Sequence, residues 1–112
     1  MASAFRQPPT DVATQLRRYA VAEGGIDEVV EFFERIRALR ERFGFTVEFA
    51  VADRVGSEFV WAVSHPKWDE AMREYEASPE RTELFSGEPM PIESRDIRMV
   101  DLVYGHNSRS DS

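Results

Sequence analysis

The run FTVEFAVADRVGSEFVWAVS, residues 45–64, decides the fold. Phe45, Val47, Phe49 and Val51 alternate with Thr46, Glu48, Ala50 and Ala52. Further on, Phe59, Trp61 and Val63 alternate with Val60, Ala62 and Ser64. A period of two sends alternate side chains to opposite faces of a strand. Between the runs, Asp53-Arg54-Val55-Gly56 has Asp first and Gly last, which suits a type I turn closed by a left-handed Gly bulge. Two alternating runs about such a turn make a hairpin. A three-residue loop pairs Asp53 with Ser57 and sets Val51 opposite Phe59, Phe49 opposite Trp61 and Val47 opposite Val63. A register one residue off places large apolar side chains opposite Glu48 and Ala50. The face carrying Phe49 and Trp61 is therefore expected to be the core face.

Upstream of the hairpin the period changes. Ile26, Val29, Val30, Phe33, Ile36, Leu39 and Phe43 recur at helical spacing. Asp27 and Glu28 stand in the first turn and Arg40 and Arg42 in the last, as the helix dipole favours. Gly44 falls where a left-handed C-terminal cap belongs. Before the Glu23-Gly24-Gly25 turn, Thr14 to Val21 reads as a short strand. Downstream, Pro66 suits the first turn of a second helix, with Trp68, Ala71, Met72 and Tyr75 on one face. Ser78-Pro79 ends or bends it. Pro79 to Ser94 has no clear period, although Arg81 to Phe85 fits one helical turn. A last strand is expected over Arg95 to Tyr104.

The order βαββαβ makes an α+β, ferredoxin-like fold: a four-stranded antiparallel sheet with two helices on one face. The other face should be polar if it met water. The pattern instead gives it Ala50, Ala52, Val60, Ala62, Val100 and Leu102, with Glu48 as the main charge. An apolar sheet face marks a partner surface, so a homodimer is expected.

Composition narrows the partners. The 112 residues suit one domain, and apolar residues make up 42%. We divide the chain into a flexible arm (1–12), the folded domain (13–104) and a disordered tail (105–112). A net charge of −7 argues against nucleic acid, which needs a basic surface. No stretch reaches the ~20 apolar residues of a membrane span, and Met1 to Thr10 has no apolar run of a secretory signal. Cysteine is absent, which suits a reducing, cytoplasmic setting. Lys67 is the one lysine among 14 basic residues, a bias toward Arg that suits a GC-rich bacterial genome.

Several short motifs now line up. Gln15-Leu16-Arg17-Arg18-Tyr19, a Gly turn and Ile26-Asp27-Glu28 opening an amphipathic helix resemble the start of a NIPSNAP-family domain. Ser57-Glu58-Phe59-Val60-Trp61 and Glu76-Ala77-Ser78-Pro79-Glu80 extend the resemblance, which covers about Gln15 to Glu80. It implies the dimeric α/β-barrel superfamily, in which two ferredoxin-like sheets pack face to face. That superfamily includes cofactor-free monooxygenases, haem-handling enzymes, dehydratases and isomerases. The Pro- and Gly-rich segment after Glu80 departs from the family pattern.

Candidate chemistry is sparse. His65, at the join of the third strand and the second helix, is a candidate general base, against the plainer reading of a helix-start residue making a local hydrogen bond. Glu48 is the odd charge on a small, apolar face. In a dry site it could act as a base; on the plainer reading it pairs with Arg17, Arg18 or Arg98. Asp101, expected in mid-strand, has the same two readings and is a candidate ligand-binding residue. Tyr19 and Trp61 could line a pocket for an apolar or aromatic molecule, or simply pack the core. With two His, no Cys and no His-x-x-x-His or Glu-x-x-His spacing, neither a metal nor a haem site is expected, and no cofactor is. His106 is expected to be idle in the tail. No phosphate-binding glycine loop or nucleophile elbow is present. Any chemistry is expected near His65, with Pro79–Ser94 as cover. Two functional readings stay open: a homodimeric small-molecule binder that could work as a cofactor-free enzyme, and a non-catalytic dimeric scaffold.

Overall fold

The amphipathic run after Gly25 coils into a single long helix because its apolar residues fall on one face. The computed structural model describes residues 12–105 and places this helix, α1, at Ile26–Arg42. Around it come β1 (Ala13–Val21), β2 (Thr46–Asp53), β3 (Glu58–His65), α2 (Trp68–Glu76), α3 (Pro79–Leu84) and β4 (Ile92–Val100). The strands form one antiparallel sheet in the order β2-β3-β1-β4, the ferredoxin-like topology expected from the sequence. Most of the residues assigned to the arm and tail, including His106, lie outside the described residues.

The end of α1 follows the expected cap. Gly44 has φ +87°, the Gly44 N–H bonds the Glu41 carbonyl and the Phe45 N–H bonds the Arg40 carbonyl. Those two bonds are a Schellman motif, in which a left-handed glycine lets the chain turn back on the last carbonyls. A side chain at Gly44 would also approach His65 Nε2 to 3.0 Å. The chain emerges directly into β2 with Phe45 buried.

The hairpin forms, but its register differs from expectation. Asp53 pairs with Glu58, Ala52 with Phe59, Ala50 with Trp61 and Phe49 with Ala62, while Val47 does oppose Val63. Two local features cause the shift. The loop has one more residue than expected: Asp53 Oδ1 accepts from the Gly56 N–H, and Ser57, not Gly56, takes the left-handed conformation at φ 58°. The ladder then loses step between Val47 and Phe49, so Glu48 is an extra, bulged residue. Beyond the bulge every side chain of β2 changes face. Phe49 and Val51 point away from the helices and are 42% and 52% exposed. The expectation that Phe49 lies in the core with Trp61 is corrected by this bulge; Ala50 and Ala52 take the helix side instead.

The core lies between the helices and one sheet face. Trp61, 1% exposed, sits at its centre with Phe33, Phe45, Phe59, Val63 and Tyr75. The second helix begins after Pro66 rather than with it, and Ser78 caps α3, its Oγ accepting from the Arg81 N–H with Pro79 in the first turn. The last strand starts earlier than expected and ends at Val100, leaving Asp101 just beyond it and exposed. Among the described residues no helix is long and apolar enough to cross a membrane.

Candidate functional site

The helix-covered face of the sheet does not close completely. Between β1 and β3 on one side and α1, α2 and α3 on the other lies a cavity of about 280 Å³. Tyr19, Phe33, Phe59, Trp61 and Tyr75 contribute aromatic walls, and Phe85 and Met90 reach it from the segment after α2. The stretch 79–94 therefore lines the cavity, through α3 and the extended chain leading into β4.

Polar groups converge on the same space. Tyr19 Oη accepts from Arg17 Nε at 2.8 Å and from Trp61 Nε1 at 3.2 Å. Both lone-pair directions are then occupied, and the hydroxyl proton is left to point elsewhere. Arg17 is held from its other end, Nη1 donating to Gln15 Oε1 at 2.7 Å. Arg40, Arg81 and Arg95 also line the cavity, and Glu76 is the one carboxylate residue in the lining.

Arg40 is the most unusual of these. It leaves the last turn of α1 pointing inward and is 3% exposed. Its guanidinium lies 4.4 Å from the Tyr75 ring centre, 4.7 Å from Phe45 and 5.5 Å from Trp61. Nη1 donates to the Met72 sulfur at 3.3 Å, and Nε is buried with no hydrogen-bond partner. Burial pushes this guanidinium below its ordinary pKa, and the charge of Arg17 pushes it the same way. A guanidinium remains charged regardless. The aromatic faces offset part of its desolvation, at roughly 0.5–2 kcal/mol each.

The fold recurs elsewhere. No family model and no curated protein matches the chain. Solved structures do. An uncharacterised NIPSNAP-like domain protein from Burkholderia xenovorans aligns with TM-score 0.70 at 15% identity, over 85% of this chain and 89% of that one. A NIPSNAP-family protein of unknown function from Agrobacterium tumefaciens gives 0.68 at 15% identity, over 80% and 86%. This is the NIPSNAP fold. SnoaB, a cofactor-independent oxygenase from Streptomyces nogalater, shares it with TM-score 0.63 at 20% identity, over 88% of this chain and all of that one.

Within the NIPSNAP fold the sequence candidates separate. Tyr19 and Trp61 come together in the cavity wall. His65 does not line it. Its Nδ1 accepts from the Lys67 N–H at 2.8 Å, which puts the proton on Nε2, 3.2 Å from the Phe43 carbonyl. The ring thus ties the end of α1 to the approach to α2 and packs edge-on against Phe45 at 4.9 Å. Glu48 lies on the open sheet face and accepts from Ser64 Oγ at 2.7 Å, in place of the expected arginine partner. Asp101 is outside the cavity, past the end of β4. Sequence reading missed Arg17, Arg40 and Arg81. Arg40 carried one signal: it stands one residue from Leu39 and four from Ile36, on the edge of the apolar stripe of α1. Among the described residues no cluster of His, Asp and Glu could hold a metal ion.

Proposed function

We propose that the chain is a homodimeric domain whose protomers each bind a small apolar or aromatic molecule between sheet and helices. The cavity carries this reading. Interiors pack with few voids larger than a water molecule, whereas ligand pockets begin at about 300 Å³. A space of about 280 Å³ walled by Tyr19, Phe33, Trp61 and Tyr75 belongs with the latter. Its walls join these rings to polar residues, the phenol of Tyr19 and the arginines among them. The likeness to SnoaB favours a catalytic form, in which the bound molecule reacts without a resident cofactor. Tyr19, Tyr75 and Glu76 are the lining groups able to move a proton there.

The homodimer rests on the open sheet face. Leu16, Phe49, Val51 and Val60 share it, and Phe49 and Val51 on β2 are the exposed apolar area that a second copy would cover. A scaffold that dimerises and binds nothing is the competing reading. A thermal-shift screen of small aromatic compounds separates the two when run beside Met72→Trp, which fills the cavity from α2. Ligands of the cavity raise the melting temperature of the wild type and not of the filled variant. Equal shifts in both proteins, or none in either, would reject the cavity as a binding site.

A further inference from the structure

Four guanidinium groups face one cavity with almost nothing to balance them. Arg17, Arg40, Arg81 and Arg95 all line it, and Glu76 is the single carboxylate residue beside them. Among the described residues, ion pairs join Arg18 to Glu58, Arg37 to Glu34 and Glu41, Arg42 to Glu80, Arg54 to Asp27 and Arg98 to Asp96. None of the four cavity arginines is in that set. Among the described arginines outside that set, which include the exposed Arg35 and Arg73, only Arg40 is buried.

A buried charge without a counter-ion is costly and is kept where something offsets it. Two of these charges stand close to one ring. Arg17 lies 5.6 Å and Arg40 5.5 Å from the Trp61 ring centre. Their like charges oppose one another, and the aromatic faces relieve only part of that. Arg40 Nε has no acceptor although it is fully buried, and Arg81 Nε is in the same state. Guanidinium groups without a carboxylate partner, lining a cavity with aromatic walls, describe a receptor for an anion. The planar fork of arginine matches a carboxylate, and the flat walls match a ring.

We propose that the ligand of this cavity is a small aromatic carboxylate whose anionic group is received by Arg17 and Arg40 while its ring lies against the aromatic walls. This rests on the reading of the cavity as a ligand site and adds the charge of the ligand. One carboxylate satisfies donors on both side chains and cancels their mutual repulsion. A neutral molecule of the same shape does neither.

Isothermal titration of the full chain with 2-naphthoate and with its neutral counterpart 2-naphthamide, at neutral pH and low ionic strength, tests the inference. Naphthoate is expected to bind roughly tenfold more tightly or better, and that preference should collapse in Arg40→Met and in Arg17→Gln. Arg40→Lys, which keeps the charge without the fork, should retain part of it. Circular dichroism melts establish that each variant is folded; if Arg40→Met is not, Arg17→Gln alone decides. Equal binding of the two compounds would overturn the inference and leave the cavity as a site for neutral ligands. A preference for naphthoate that survives both substitutions would place the anion elsewhere and overturn it as well. Failure of both compounds to bind would remove the cavity reading together with the inference.

Discussion

At the scale of single residues, Trp61 and Arg40 make opposite contributions. Trp61 is buried in the cavity wall, with Phe33 edge-on at 5.1 Å and its indole N–H satisfied by Tyr19. Trp61→Ala should cost about 3–5 kcal/mol in a urea melt, as for a large aromatic removed from a core. A loss below about 1 kcal/mol would mean that the cavity already accommodates its absence. Arg40 fills a similar place but carries a charge with no counter-ion. Arg40→Met keeps most of the packing volume and removes the desolvated charge, so its melting temperature should equal or exceed that of the wild type. A marked fall would show that the contacts with Tyr75, Phe45 and Trp61 outweigh the burial cost. Trp61 was legible in sequence because an alternating strand announces its inward residues. Arg40 was not, because a basic residue in the last turn of a helix has a sufficient explanation in the helix dipole, and its carbonyl in the Schellman cap draws no attention to its side chain.

At the scale of elements, α1 was legible from Ile26 to its glycine cap, since helical period, terminal charges and Gly44 all agree. The hairpin was legible as a hairpin and not in its register. Asp53 and Gly56 suit more than one loop length, and a bulge leaves no mark in an alternating pattern. Ser57 carries the cost of the longer loop. It holds φ 58° while its Oγ donates to the Val21 carbonyl at 2.7 Å. Ser57→Val combines a β-branched side chain in the left-handed region with loss of that bond, so roughly 2 kcal/mol or more should disappear from the unfolding free energy. An unchanged denaturation midpoint would show that the loop relaxes to another turn. His65 connects two elements in the same way. His65→Ala removes its links to Lys67 and Phe43 and should cost about 1–2 kcal/mol. Ligand affinity in the cavity should be unaffected; a clear loss of affinity with normal stability would return His65 to the site.

At the scale of the whole molecule, the open sheet face is divided. Its β1–β4 side carries the ion pairs of Arg18 with Glu58 and of Arg98 with Asp96, and its β2 side carries Phe49 and Val51. Dimerisation through this face should give a species of twice 12.9 kDa in sedimentation equilibrium at micromolar concentration. Phe49→Asp should reduce it to a monomer with an unaltered circular dichroism spectrum. A wild type sedimenting at 12.9 kDa throughout that range would remove the dimer. The fold class was legible because it follows from the order of elements. The composition of this face was read one residue out of step, since Glu48 is bulged and the sequence beyond it was assigned to the wrong side. That bulge has a consequence for how such a chain can change over time. Substitutions alter a surface one side chain at a time. Deleting Glu48 would leave Val47 opposite Val63 and Phe49 opposite Ala62 in an unbroken ladder, so Phe49 and Val51 would keep their side of the sheet and Ala50 and Ala52 theirs. The bulge therefore absorbs one codon inserted or lost at this position, and both the apolar strip of this face and the cavity on the far side of the sheet survive the change in chain length.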